Sequence, residues 1–188
     1  NIGDVFSHLK IDSLPCLRTT HASTLDYQLV LRRAFVQYGL PELISLDHDS
    51  VFYDNQISSP FPTVLHLWLI GLGIAVRFIH KTPPTEHAQI ERTHQTITNQ
   101  AIVGQTFANA ADLQKMLTNR ISFLNLDYPS RSLHGQAPLA AYPQAKRTQR
   151  PYRLEAEKEF LDMQPIYDYL AKGRWFRRTG PVGMFALG

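Results

Sequence analysis

Between Tyr27 and Tyr38 the apolar residues fall at Tyr27, Val30, Leu31, Ala34, Phe35 and Tyr38. Intervals of three and four trace one stripe along an α-helix. Ser23 or Thr24 is placed to cap its start, and Gly39 followed by Pro41 to stop it. Before it, the mixture of apolar and polar residues predicts two strands, Val5 to Ile11 and Leu14 to Thr20. After it, Glu42 to Leu46 reads as a short strand running into Asp47 and a polar loop. Thr63 to Leu72 is nearly all apolar and reads as a buried helix. Gly73 separates it from a strand, Ile74 to Ile79. Pro83 and Pro84 precede a helix of about Glu86 to Val103. Another begins near Asn109, with Leu113, Met116, Leu117, Ile121, Leu124 and Tyr128 on one face. Strands followed by alternating helices and strands predict a layered α/β domain.

The pattern changes after Tyr142. Lys146, Arg147, Arg150 and Arg153 lie in a stretch without acids, read as a basic linker. A helix of roughly Leu154 to Ala171 follows, with Pro165 expected to kink it. Two strand-like runs, RWFRRT and VGMFALG, close the chain, the second cut off by its end.

Composition adds little. Of 188 residues, 44% are hydrophobic and 19% charged, an ordinary globular balance. The formal net charge of +3 is a mild basic bias toward nucleic acid. The single cysteine, Cys16, makes no internal disulfide, so a reducing intracellular setting is the default. The apolar stretch from Val64 to Val76 is interrupted by His66 and is too short to span a bilayer. The chain reads as a fragment at both ends.

Two carboxylates draw attention. Asp47 sits at a strand exit, where open α/β sheets often carry functional groups, although an Asp there can simply cap a turn. Asp49 is its near neighbour. Glu91, His94, Gln95 and Thr98 share one helical face, while Ile90, Ile97 and Ala101 form an apolar one. Such a polar face is commonly plain solvated surface. Glu86 suits the helix N-terminus as a dipole partner. His87 and His94 are seven apart, not the four a zinc helix needs, and no cysteine pair completes a site. Asp47 and Glu91 together supply hard oxygen donors, which suit Mg²⁺ or Mn²⁺.

At these residues a family resemblance emerges. Gly39-Leu40-Pro41-Glu42-Leu43-Ile44-Ser45-Leu46-Asp47 resembles the "G-x-P-x-x-I-x-x-D" strand of the integrase catalytic core, the DDE group of retroviral integrases and insertion-sequence transposases. Asp47 to Phe52 is similar to the following "D-N-G-S-x-F", and Leu72-Gly73-Ile74 to the "L-G-I" before the next strand. Pro84 with Ala88-Gln89-Ile90-Glu91-Arg92-Thr93-His94 is similar to "P … G-x-v-E-R-x-H", with Ala88 in place of glycine. Asn125 to Pro138, including His134, is similar to "N … H … G-x-x-P", and Asp4-Val5-Phe6-Ser7-His8 to "D-x-x-S-H/R". Six pieces in the family's order cover about residues 1–143.

The resemblance implies a ribonuclease H-like mixed sheet flanked by helices, here truncated at the first strand. It implies two Mg²⁺ or Mn²⁺ ions held by two aspartates and a glutamate, with Asp47 and Glu91 as two of the three. The first aspartate would lie upstream of residue 1; Asp4 and Asp12 are alternatives if the register differs. It further implies DNA cleavage and strand transfer by multimers on paired DNA ends, in the bacterial cytoplasm at the nucleoid. The expected organisation is a core over 1–143, a basic linker over 144–153, and over 154–188 a linker helix and the start of a small β-barrel. Three departures stand out: the missing first strand, His48 and Asp49 where the family has Asn and Gly, and 43 residues (48–90) between Asp47 and Glu91. The added length fits the 54–62 loop.

Basic residues suit a DNA backbone. Lys81, Arg92 and His94, with Arg77, are expected near the site; Lys146, Arg147, Arg150 and Arg153 form a second patch; Arg174, Arg177 and Arg178 interleave with Trp175 and Phe176. The expected activity is that of a DDE-type polynucleotidyl transferase, the fragment alone being inactive for want of the third ligand. The alternatives are a catalytically inactive DNA-binding or assembly protein derived from a mobile element, and a metal-dependent nuclease of the same fold.

Overall fold

The computed structural model describes residues 1–15, 22–47, 51–52, 61–79, 88–146 and 150–175, with backbone alone for 88–90. They form a mixed α/β structure with two two-stranded sheets and several helices. The chain divides into two compact units, Asn1–Leu40 with Lys81–Tyr152, and Pro41–His80 with Arg153–Gly188.

The first unit opens with an antiparallel pair, β1 (Ile2–Gly3) and β2 (Lys10–Asp12), irregular between Ile2 and Gly3. Of the strand predicted from Val5 to Ile11, Val5 to Ser7 form a turn and only Lys10 and Ile11 fall in β2. The Asp4 carboxylate accepts from the amides of Phe6 (3.3 Å) and Ser7 (3.0 Å) and from the Ser7 hydroxyl. The Asp4 amide donates to the Leu9 carbonyl. A short acidic side chain that satisfies the backbone locally competes with strand pairing. Of the second predicted strand, Leu14 and Pro15 are not strand, and 16–20 lies outside the described residues.

Helix α1 (Thr24–Tyr38) starts at Ser23, whose hydroxyl accepts from the Asp26 amide while the Asp26 carboxylate accepts from the Ser23 amide. This reciprocal cap satisfies two otherwise orphaned donors. Val30, Leu31, Ala34 and Phe35 of the expected stripe are buried. Helices α3 (Ala88–Ala101) and α4 (Ala110–Leu126) meet through Ile97, Ala101, Leu117, Ile121 and Leu124. Asn109 caps α4. A 3₁₀ turn (Arg131–Leu133), α5 (Pro138–Ala141) and a second 3₁₀ turn (Pro143–Lys146) follow.

Buried Asn125, near the end of α4, holds the hairpin. Its Oδ1 accepts from the Lys10 amide at 2.9 Å, and its Nδ2 donates to the Lys10 carbonyl at 2.8 Å. One side-chain amide thus serves as a strand's worth of partners for Lys10. Nearby, the buried Asp12 carboxylate pairs with Arg33 at 3.1 Å and accepts from the Ser13 amide; its Oδ2 has no hydrogen-bond partner. Burial pushes the Asp12 pKa up, against the opposing pull of Arg33.

In the second unit β3 (Leu43–Leu46) and β4 (Ala75–Phe78) pair in parallel, Leu43 opposite Ala75 and Leu46 opposite Phe78. Helix α2 (Val64–Gly71), capped by Thr63, buries Leu65 and Leu69 completely. The single helix predicted over Leu154 to Ala171 is three pieces: a 3₁₀ turn (Leu154–Ala156), α6 (Glu157–Phe160) and α7 (Gln164–Lys172). The break is tertiary in origin. Leu161 is extended, and the Asp162 amide donates to the Gly71 carbonyl at 2.8 Å. Pro165 then falls in the first turn of α7, where its missing N–H costs nothing. A Cβ on Gly71 would come within 3.1 Å of both Leu161 and Ile166, so a side chain there would disturb this packing. The two closing strand-like runs lie beyond the described residues, apart from Arg174 and Trp175.

Candidate functional site

Asp47 immediately follows β3 in the second unit and is exposed. Its strand is fixed on one side by β4, where the Ile79 amide donates to the Leu46 carbonyl at 2.8 Å. Glu91 lies in the first turn of α3, in the first unit, and is also exposed. The face Glu91, His94, Gln95 and Thr98 is exposed as expected, and Arg92 with it. Ile97 and Ala101 on the other side are 1% and 0% exposed, so the helix is anchored behind its polar face. Glu91 is therefore a carboxylate on the exposed face of a packed helix.

The remaining expected residues are scattered. Arg77 is exposed and donates from Nε to the Ser45 hydroxyl across the parallel pair, at 3.2 Å. Lys146 is exposed at the end of its 3₁₀ turn, and Arg153 is exposed just before Leu154. Arg150 is half-buried, with its carbonyl accepting the Leu40 amide at 2.8 Å. Lys81, Arg147, His48, Asp49, Glu86 and His87 lie outside the described residues. Asp4 is committed to its turn, and Asp12 to Arg33 and Ser13. Among the described residues no group of three or more His, Cys, Asp or Glu side chains is arranged to hold a metal ion. No helix among them is long and apolar enough to cross a membrane.

The structure brings to α3 residues that were not among the expected site residues. The β1–β2 turn ends at His8, whose φ of 61° is unusual for a residue with a side chain. Lys10 donates from Nζ to the His8 carbonyl at 2.9 Å. His8 Nδ1 lies 3.5 Å from the Ser132 hydroxyl, which itself lies 2.8 Å from that of Ser130. Helix α3 abuts the same hairpin: a Cβ on Gly3 would lie 3.8 Å from the Thr93 methyl. Arg92 acts electrostatically on His8. Burial, then Lys10, then Arg92 lower the His8 pKa, with Asp4 opposing. Lys10 is lowered as well, by burial. Asp4 to His8 form one of the resembling motifs, and nothing in their spacing places them near Arg92.

No family model matches the chain.

Proposed function

We propose that this chain is the catalytic region of a DDE-type DNA transposase or integrase, built on a ribonuclease H-like fold. The observation that carries the reading is Glu91, exposed in the first turn of a helix anchored by its opposite face and followed by exposed Arg92 and His94.

Asp47 and Glu91, with a third carboxylate, would hold two Mg²⁺ or Mn²⁺ ions. Their donor chemistry fits: both carboxylates are exposed hard-oxygen donors, Glu91 on α3 and Asp47 immediately after β3. When bound, such ions activate a hydroxyl and stabilise the leaving oxygen of a phosphodiester. The chain's own contribution is placement. Glu91 presents a fixed anion, while Arg92 and His94 beside it neutralise and position the DNA backbone. The partners are element ends and target DNA, bound by a homo-multimer.

The test is strand transfer by the full-length protein carrying Glu91→Gln. Activity is expected to fall at least about 100-fold, the scale for removing one electrostatic group from a transition state. Undiminished activity sinks the assignment. An assay that separates hydrolysis from joining distinguishes a transposase from a nuclease. The second reading, a catalytically inactive DNA-binding or assembly protein, is favoured by His48 and Asp49 where the family has Asn and Gly. It expects DNA binding to persist with no metal-dependent strand transfer at all.

A further inference from the structure

We propose that His8, Lys10 and Arg92, with the Ser132 hydroxyl, form a notch that binds a phosphate of the DNA backbone. The inference rests on the nucleic-acid reading above and joins one residue of the expected set, Arg92, to three outside it, His8, Lys10 and Ser132.

The groups come from three stretches of the first unit. The β1–β2 turn supplies His8 and Lys10, the first turns of α3 supply Arg92, and the 3₁₀ turn after α4 supplies Ser132. The backbone segments that carry these groups are held by the fold. Lys10 is clamped through its backbone by Asn125, at 2.9 and 2.8 Å. The turn before it is tied by Asp4, and α3 packs against Gly3 through Thr93. His8 is held in a left-handed conformation, with φ of 61°. Backbone strain of this kind persists where the surroundings over-determine it, and it concentrates at ligand clamps.

Lys10 and Arg92 both act on His8 as like charges. The acid that opposes them, Asp4, is already engaged with Phe6 and Ser7. Among the described residues, Asp4 and Lys10 on the hairpin and Arg92 on α3 act on this ring, and Arg131 sits on the same 3₁₀ turn as Ser132. A phosphate would reverse the balance. Its oxygens accept from ammonium, guanidinium, imidazolium and hydroxyl donors, and its charge turns repulsion into attraction. Binding should therefore draw a proton onto His8.

The experiment uses the chain of residues 1–188. The imidazole of His8 is titrated by NMR alone, with a short duplex, and with inorganic phosphate. In parallel, duplex affinity is measured against salt for wild type and for Lys10→Gln combined with Arg92→Gln. Lys115→Gln, an exposed position on α4, is the control. The expected result is a higher His8 pKa in the duplex complex. The slope of log affinity against log salt should be shallower by about 2 in the double variant, roughly 1 per lost phosphate contact. The wild-type titration reads the site without a mutation, so it stands even where a variant fails to fold.

A His8 ring that titrates identically with and without duplex overturns the proposal. So does an unchanged salt slope in the double variant. A shift with inorganic phosphate but none with duplex also overturns it, because the backbone is then not the source. These failures leave the catalytic reading intact when Glu91→Gln abolishes strand transfer. Conversely, full strand transfer in Glu91→Gln overturns that reading while a duplex-dependent His8 shift upholds the notch.

Discussion

His8 and His66 have pKa values displaced in the same direction by different surroundings. His66, on α2, is 5% exposed and is met edge-on by the rings of Phe78 (5.2 Å) and Tyr169 (5.1 Å). Tyr169 in turn faces Trp175, which contacts Phe61. Burial is what lowers the His66 pKa. At His8 burial is joined by Lys10 and Arg92. The first histidine belongs to packing and the second to a charged surface. Their difference separates structure from recognition more cleanly than either region does alone.

The largest effect should come from cutting the support of the charged region. Asn125→Ala removes both bonds to Lys10 and leaves two backbone groups of a half-buried strand without them. A loss of about 2–3 kcal/mol is expected, read from urea unfolding. A smaller loss would mean that water replaces the amide and that the hairpin is held by other contacts.

Acid should distinguish the two rings next. The folded-state pKa of His66 lies below the unfolded value of 6.5, so the folded chain binds fewer protons between the two. Its contribution to stability is whole above pH 6.5 and is lost as pH falls through that window. Urea midpoints should drop from pH 7 to pH 5, and His66→Leu should remove the part of that slope that salt does not change. An equally steep slope in His66→Leu would assign the effect elsewhere.

The smallest effect is a response to ionic strength. Raising salt from about 0.05 to 0.5 M shortens the screening length to a few ångströms and weakens exposed like-charge repulsion. The His8 pKa should therefore rise in the free protein, while that of His66 holds. Equal responses from the two rings would erase the distinction drawn here.

Much of the secondary structure was legible because its causes are local. The Val30–Leu31–Ala34–Phe35 stripe, the Ser23 cap and the Gly39 stop each act within a few residues, and α1 follows them. The Asp4 turn is equally local, but the apolar and polar mixture of Val5 to Ile11 predicts a strand and carries no sign that the Asp4 carboxylate binds the backbone of Phe6 and Ser7. The break before α7 was not local: it depends on the Asp162 amide finding Gly71. For the candidate site, the exposed face of α3 followed from helical spacing. The approach of His8 and Lys10 to Arg92 depends on a fold contact across the chain, and no residue pattern encodes it directly.

The Asn125 clamp also bears on the order in which this chain can fold during synthesis. It joins residues 115 apart. The whole of Pro41–His80, which belongs to the second unit, emerges between them. The hairpin must therefore wait for α4 before its strand partners are complete, and closing so long a loop carries an entropy cost that local contacts do not. A chain arrested before residue 125 would carry the β1–β2 segment without its anchor, open to chaperones until α4 is made.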